Sequence, residues 1–427
     1  MKLSVTLAMG IATLSVLSLP AAVGTVSNVS MPAQDNASRA VTVNYDLSGA
    51  DSIVTVDFLT NGVSIGSGNI RYLTGDVNRK VAAGTGKRIV WQPHKSWPGH
   101  KNTVTAVVTA WDLDAPPNYM VIDLNYTGVR TYYVSEDALP EEGGITNRKY
   151  KTEYLVMRKI PAAGVTFNIG SPSGEPGKNV NGWADSRERF HRVQFTNDWY
   201  MAVYPLTSAQ MKKFKPSYGL SSNYQNHIQE GVDIDTCPVT DTDIKIDTLR
   251  GTSNVWPTNG SVVDSDSYMQ LFRTKTGLRT MDLPTEARWE YSCRAGSAAN
   301  FNVGETIDPS SAAGRAAYDE IGYSALNSGS YLYPVGEKKP NAWGLYNCHG
   351  PVRELCKSHF INPYVASADV VEVDPPGGDA SQSYITRGGS TENVWEWSRC
   401  AARHATANWQ NLWSIGIRLM CEAGGND

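Results

Sequence analysis

The sequence predicts a two-part protein of the α+β class, in which a small all-β sandwich precedes a larger, loop-rich domain. Two observations carry this prediction. Short runs between residues 39 and 114 alternate apolar and polar side chains, which is the period of a half-buried strand. Beyond residue 154, strand-like runs alternate with residues that typically begin helices. The 38 glycines of the chain are consistent with many turns and loops.

The beginning of the chain has the pattern of an export signal. A positive residue precedes an apolar run over residues 3–19, and two alanines follow at 21–22. We therefore expect a cleaved signal peptide over residues 1–24 and a secreted or periplasmic protein. Residues 25–38 show no periodicity and are predicted to be a spacer. No later stretch is apolar enough to span a bilayer.

The predicted sandwich covers residues 39–114. Its strands are short, and the turn residues Asn61 and Gly62 separate two of them. Strands at this spacing, without a helical period, are typical of small antiparallel sandwiches. This module resembles an immunoglobulin or fibronectin type III domain. The alternating apolar positions are Val41, Val43, Tyr45, Val54, Val56 and Phe58.

A proline-rich break at residues 115–118 ends this module. Residues 115–153 are predicted to be a linker that contains two strands, and the second domain is predicted over residues 154–424. Within it, Thr207 or Ser208 can cap one helix, and Thr285 can cap another. A further helix is expected over residues 265–274, where apolar residues fall at helical spacing.

Composition excludes some classes of partner. Hydrophobic residues make up 41% of the chain and charged residues 19%, which is enough to form ordinary cores. The net charge of −4 gives no basis for binding nucleic acid or an anionic membrane.

Several blocks of the second domain occur in a specific order. An opening strand over residues 164–171 is followed by Leu-Pro-Thr-Glu at 283–286, Gly-Leu-Tyr-Asn at 344–347, Arg-Gly-Gly-Ser at 387–390 and Gly-Ile-Arg-Leu at 416–419. In this combination the chain resembles the sulfatase-modifying-factor family, which contains the formylglycine-generating enzyme. The resemblance implies a loop-rich variant of the C-type lectin fold.

The departures from the family pattern concern its chemistry. In formylglycine-generating members, two cysteines after the Gly-Gly-Ser serine bind copper(I), and oxygen then oxidises a substrate cysteine. The matching positions here are Asn393 and Ser398, and Ser390 is retained as a cleft hydroxyl. An amide and an alcohol cannot replace a soft thiolate pair, so we expect no copper site.

A calcium site is also implied by the resemblance. In the family, an Asn side chain, two backbone carbonyls and a Glu carboxylate bind calcium, and the matching residues here are Asn347, Gly350, Val352 and Glu354. Oxygen ligands of this kind are those that calcium prefers. The alternative is a turn held by hydrogen bonds. The same block has lost both family tryptophans, and Arg353 replaces one of them.

The six cysteines all lie in the second half of the chain, and their spacing does not select a pairing. Disulfides or buried thiols are expected. A zinc site involving Cys348, His349, Cys356 and His359 is a weaker alternative, because these spacings match no closed zinc motif.

Tryptophan and arginine side chains gather where family members bind copper. Aromatic planes beside polar donors suit recognition of a peptide, protein or carbohydrate. The alternative is that two or more of these tryptophans belong to the core. The predicted ligand-binding residues are Trp395, Trp397, Arg399, Arg403, Trp409 and Trp413.

The sequence thus predicts an exported, non-copper family member that works by binding. The alternative is an oxidoreductase, either a divergent formylglycine generator or a non-haem metal oxidase whose histidines and carboxylates meet only in three dimensions. A third possibility is a hypervariable receptor, as in lectin-fold proteins diversified by retroelements.

Overall fold

The computed structural model describes residues 23–32, 37, 39–178, 185–240, 245–251, 262–361, 369–377, 383–407 and 413–425. Nearly all of the predicted signal peptide, and Trp409 of the predicted ligand-binding set, lie outside these residues.

The N-terminal module is a sandwich of two antiparallel sheets, as predicted. One sheet has the order β1-β2-β7-β5, and in the other β3 pairs with β4, β6 and β8. Strand β1 pairs with β2 and lies within the predicted spacer, which is therefore part of the module. The strands are β1 Thr25–Ser30, β2 Val41–Ser48, β3 Ser52–Thr60, β4 Val63–Ser64, β5 Leu73–Gly75, β6 Arg79–Val81, β7 Gly84–Trp91 and β8 Thr105–Trp111.

The alternating residues of the module form its core. Val43, Tyr45, Val54 and Phe58 are almost completely buried between the two sheets, and Phe58 stacks on Trp91 with ring centroids 4.3 Å apart. The period-two pattern in the sequence therefore marks the inward face, because alternate side chains of a strand point to opposite sides.

The larger domain is built from three small sheets. Their strand orders are β10-β9-β11-β14-β20, β12-β13-β16 and β18-β17-β15-β19. The strands are β9 Tyr119–Asp123, β10 Arg130–Tyr133, β11 Tyr154–Ile160, β12 Thr166–Ile169, β13 His191–Gln194, β14 Trp199–Ala202, β15 Arg353–His359, β16 Val371–Val373, β17 Ser383–Arg387, β18 His404–Ala407, β19 Ile415–Gly416 and β20 Met420–Glu422.

The helices are short, and irregular segments connect them. Those of α type are α1 Pro93–Ser96, α2 Lys149–Thr152, α3 Ser208–Phe214, α4 Ser222–Gln225, α5 Ile246–Leu249, α6 Tyr268–Thr276, α7 Glu286–Arg294 and α8 Ala312–Ile321. Turns of 3-10 helix cover Ser67–Asn69, Glu136–Ala138, Gly144–Thr146, Asp185–Glu188, Ile234–Thr236 and Trp395–Ser398. This mixed, loop-rich architecture after an all-β module is the predicted fold class.

The two strands of the predicted linker belong to the larger domain. Strand β9 pairs with β11 inside the five-stranded sheet, and β10 forms its edge. The linker also contacts the sandwich, because the Tyr132 N–H donates to the Asn78 carbonyl at 2.8 Å. Residues 115–153 are thus a structured part of the second domain.

Side-chain caps start the predicted helices. Thr207 accepts from the Gln210 N–H and completes a capping box at α3, so Thr207 rather than Ser208 is the cap. Ser267 caps α6, and Thr285 caps α7. These hydrogen bonds satisfy amide groups that have no partner within the helix.

Buried ion pairs connect α7 to the C-terminal sheet. The Glu286 carboxylate forms ion pairs with the guanidinium groups of Arg387 and Arg403, with N–O distances of 2.8 and 2.6 Å. The Glu290 carboxylate pairs with those of Arg387 and Arg294, at 2.6 and 2.9 Å. Although burial opposes ionisation, Arg294 and Arg387 hold the pKa of Glu290 below its usual value. We call these five residues the α7 ion network.

A second buried pair joins Glu354 on β15 to Arg418. Arg418 donates to both carboxylate oxygens, at 2.8 and 2.6 Å, and the Trp289 indole N–H donates to one of them at 2.6 Å. The remaining Arg418 donors reach three backbone carbonyls, including that of Tyr346. The pair is thereby fully hydrogen-bonded, which a buried charge requires.

We expect Arg418→Met to lower the free energy of unfolding by about 3–5 kcal/mol, because Glu354 would remain buried and charged without its cation. Urea denaturation of both proteins measures this. Arg148→Met is the matched control, because the Arg148 side chain is 57% exposed in its pair with Asp233 and should lose at most about 1 kcal/mol. Equal losses in the two variants would contradict this account.

Candidate functional site

The segment that carries the family's copper positions leaves the end of β17 through two glycines. Gly388 and Gly389 have φ angles of 90° and 66°, a region that side chains rarely adopt. A Cβ on Gly389 would lie 2.2 Å from the Ser398 hydroxyl oxygen. Glycine at this position therefore lets the segment fold back until Ser398 lies against it.

The two copper positions differ in their surroundings. The Ser390 hydroxyl donates to the Asn393 side-chain oxygen at 2.9 Å, and Asn393 is half-buried. Ser398 is completely buried, and its carbonyl is 2.7 Å from Nδ1 of His349. The retained Ser390 thus orients the Asn393 amide. The pair offers an amide and an alcohol, which are not ligands for copper(I).

The predicted ligand-binding face is largely internal. Trp395 packs with Phe301 and Tyr318, and Trp413 stacks on His227 with ring centroids 4.0 Å apart. Both tryptophans are less than a tenth exposed, which agrees with the alternative that two of them are core. Trp397 is half-buried beside His404, at a centroid distance of 4.3 Å.

The two arginines of that face are also buried. Arg403 belongs to the α7 ion network, and Arg399 binds Glu175 at 2.6 Å and Glu188 at 2.8 Å. Burial raises the pKa of Glu175, an effect that Arg399 opposes. These guanidinium groups hold distant segments together inside the domain, so they do not form a surface for a ligand as the sequence suggested.

The predicted calcium ligands are close in sequence, but Glu354 has another role. Both of its carboxylate oxygens accept from Arg418. The Asn347 side-chain oxygen accepts from the Gly336 N–H at 2.7 Å. A guanidinium at these distances from the carboxylate does not fit a calcium ion at the same oxygens. The calcium site stays a prediction that this geometry does not favour.

All six cysteines lie in the described part of the chain, and all are buried thiols rather than disulfides. Cys293, His349 and Cys400 come together, with their ligand atoms within 4.8 Å of one another. Among the described residues this is the one group of three or more His, Cys, Asp or Glu side chains arranged to hold a metal. Sequence spacing did not indicate it, because the three residues come from separate segments.

Another buried cation, Arg353, lies in the block that has lost the two family tryptophans. Arg353 is 7% exposed, and no described carboxylate lies within ion-pair distance of its guanidinium. Burial lowers the pKa of Arg353 to about 10, and Glu392 partly counters this. The Thr391 N–H donates to the Pro351 carbonyl, which joins this block to the segment that carries Asn393.

Exposed apolar side chains lie on two loops that touch each other. Val394 is 45% exposed, and Leu326 and Tyr331 are 38% and 45% exposed. The Ala325 N–H donates to the Asn393 carbonyl at 2.8 Å, and the Ser328 hydroxyl donates to the Thr391 carbonyl at 2.9 Å. We call these three side chains the apolar patch. The sequence does not predict this patch, because isolated apolar residues in loops carry no periodic signal.

Residues 164–423 match the family described as the sulfatase-modifying factor enzyme 1-like domain. The chain belongs to this family. This agrees with the buried positions of the family motifs: Glu286, Arg387 and Arg418 all take part in ion pairs that the fold needs.

Three curated relatives are formylglycine-generating enzymes. The one from Streptomyces coelicolor is 30% identical over 149 residues, covering 33% of this chain and 46% of the relative. Those from Thermomonospora curvata and Bos taurus are 31% and 28% identical over 114 and 151 residues, covering 25% and 33% of this chain and 37% and 38% of the relatives. The chain thus spans less than half the length of these relatives.

Two solved structures are similar to part of this chain. Treponema denticola variable protein 1 covers 63% of this chain and 95% of its own, with 18% identity and a TM-score of 0.47. PvdO from Pseudomonas aeruginosa covers 63% and 94%, with 22% identity and a TM-score of 0.42. Likenesses at this level carry no argument about fold or function. In the described residues, no helix has the length and apolar character needed to cross a membrane.

We expect His404 to make stability depend on pH. Burial, followed by the positive charge of Arg353, holds its pKa well below the usual value of 6.5. Below about pH 6.5 the unfolded state binds a proton at His404 that the folded state does not. The free energy of unfolding should therefore decrease as the pH is lowered from 7 to 5, by up to about 1.4 kcal/mol per pH unit.

His404→Phe should reduce this slope while keeping a ring beside Trp397. Urea denaturation at several pH values measures the slope, and His94→Phe, which alters an exposed histidine of α1, is the control. If His404→Phe and the unaltered protein have the same slope, His404 does not titrate as described.

Proposed function

We propose that this protein is an exported, binding member of the sulfatase-modifying-factor family and does not generate formylglycine. The observation that carries the proposal is the pair Asn393 and Ser398 at the family's copper positions. Export rests on the N-terminal sequence pattern, which lies outside the described residues.

Copper(I) selects soft sulfur donors, whereas these positions supply a carboxamide and a hydroxyl. Asn393 already accepts from Ser390, and Ser398 is enclosed beneath Gly389. Neither side chain can be oxidised or reduced under physiological conditions, so the segment offers no redox group to a substrate cysteine. A non-haem oxidase finds little support either, because the thiol and imidazole group around Cys293 is buried and out of reach of a substrate.

The apolar patch beside Asn393 supports binding of a peptide or protein segment. Exposed aliphatic and aromatic side chains on touching loops gain free energy when a partner covers them. We therefore propose an apolar peptide or protein segment as the ligand class.

The catalytic alternative can be tested directly. The purified protein, loaded with copper(I) and supplied with oxygen, should leave a peptide of the Cys-x-Pro-x-Arg type unchanged, as measured by mass spectrometry. The matched control is the double variant Asn393→Cys with Ser398→Cys, which should bind copper(I) more tightly than the unaltered protein. Conversion of the peptide cysteine to formylglycine by the unaltered protein would reject the proposal.

The binding surface can be tested by photocrosslinking in the producing cells. A photoreactive amino acid at position 394 should give a defined crosslinked protein, and one at Val63, which is 67% exposed on the sandwich, should not. Tyr331→Asp should lower the crosslinking yield at 394, because it replaces an exposed ring of the apolar patch with a charge. An unchanged yield in this variant would exclude this surface.

A further inference from the structure

A buried thiol and imidazole group lies behind the Asn393 segment. Cys293 belongs to the last turn of α7, His349 precedes β15, and Cys400 follows the 3-10 turn Trp395–Ser398. The sulfur atoms of Cys293 and Cys400 are 3.7 Å apart. Three segments distant in the sequence thus direct metal-ligand side chains toward one point, and all three residues are buried.

The hydrogen bonding of His349 leaves one ring nitrogen available. Nδ1 lies 2.7 Å from the Ser398 carbonyl, which can only accept, so Nδ1 carries the proton. Nε2 then has an unshared electron pair, and it is buried without a hydrogen-bond partner. This is the arrangement in which a histidine binds a metal while a backbone carbonyl fixes its tautomer.

The thiols have mostly apolar surroundings. Cys293, Cys348 and Cys400 all lie in one cluster of buried hydrophobic residues. His349 donates through Nδ1 and leaves the electron pair of Nε2 free. No carboxylate is part of the group. Soft sulfur and neutral nitrogen donors select zinc or copper(I) over calcium or magnesium.

The distance between the sulfur atoms fits zinc. In a tetrahedral site with Zn–S bonds of about 2.3 Å, two sulfur ligands lie about 3.8 Å apart. The observed separation is 3.7 Å. A disulfide would bring the same atoms to about 2.05 Å and would leave the buried Nε2 of His349 without a partner, which is unfavourable.

We propose that Cys293, His349 and Cys400 bind one zinc ion, with a water molecule in the fourth position. Binding replaces the two protons of Cys293 and Cys400, which are released to solvent, and forms two zinc–sulfur bonds and one zinc–nitrogen bond. With two thiolates and a neutral imidazole the site carries no net charge, so its burial avoids the cost of an isolated ion.

The site would be structural. It is enclosed, so no substrate reaches it, and it links α7 to the segment before β15 and to the residues after the 3-10 turn Trp395–Ser398. Through Nδ1 of His349 it also fixes the Ser398 carbonyl. The metal would therefore hold the loop that carries the proposed binding surface, whether or not that surface binds a partner.

Metal analysis of the protein without its predicted signal peptide tests the proposal. Protein purified under reducing conditions, stripped of metal and reloaded, should retain about one equivalent of zinc through gel filtration. Cobalt in its place should give the near-ultraviolet absorption of thiolate-to-metal charge transfer. His349→Gln and Cys293→Ser should each reduce bound zinc to below about 0.1 equivalents. Cys237→Ser, which removes a buried thiol elsewhere, should retain it.

Circular dichroism of each variant separates loss of metal from loss of fold. If the protein instead retains one equivalent of copper(I) in competition with zinc, the assignment of zinc to this site is contradicted. Three results would overturn the proposal: no metal retained by the folded, reduced protein; bound metal unaffected by both substitutions in the group; or four free thiols and no zinc in protein isolated from its native compartment, which indicates a Cys293–Cys400 disulfide.

Discussion

The buried contact between Glu286 and its two arginines organises the larger domain. A charged carboxylate in the interior is tolerable only when cations and hydrogen bonds replace the water that it loses. Here Arg387 is the last residue of β17, and Arg403 immediately precedes β18. The neighbouring Glu290 repeats the arrangement with Arg294 and with the amide of Gly170. One short helix therefore positions the C-terminal sheet and the opening strand of the domain together.

This network explains why the family could be identified more readily than its chemistry. The Leu-Pro-Thr-Glu and Arg-Gly-Gly-Ser motifs supply Glu286 and Arg387 of this network, and the Gly-Ile-Arg motif supplies Arg418, which pairs with Glu354. Removing one member of such a pair leaves a buried charge unpaired, which lowers stability. The copper positions lie outside the network. Ser390 donates to the Asn393 side-chain oxygen, whereas the Ser398 hydroxyl is buried without a hydrogen-bond partner among the described residues, so neither position contributes to the buried ion pairs.

Local signals in the sequence predicted the local structure. Alternation predicted the strands of the sandwich, and the hydroxyl caps predicted the starts of α3 and α7. Apolar spacing predicted α6, which begins at Tyr268 rather than at residue 265. The roles of charged residues could not be read in the same way, because their partners are distant. Arg399 binds Glu175, 224 residues earlier in the chain. Nothing near Arg399 in the sequence distinguishes a buried ion pair from a surface that meets a ligand.

The same limit applies to the candidate metal group, and it shows how the parts of the site depend on each other. Cys293 and Cys400 are 107 residues apart, and they approach because the α7 ion network brings the turn after Ser398 against the end of α7. Arg387 donates to the Cys400 carbonyl at 2.8 Å, so the cation that pairs with Glu286 also places the thiol. His349 then connects that thiol group to Ser398. The exposed loop at Asn393 is thus supported from beneath by charge pairing, and its surface residues can vary without disturbing that support.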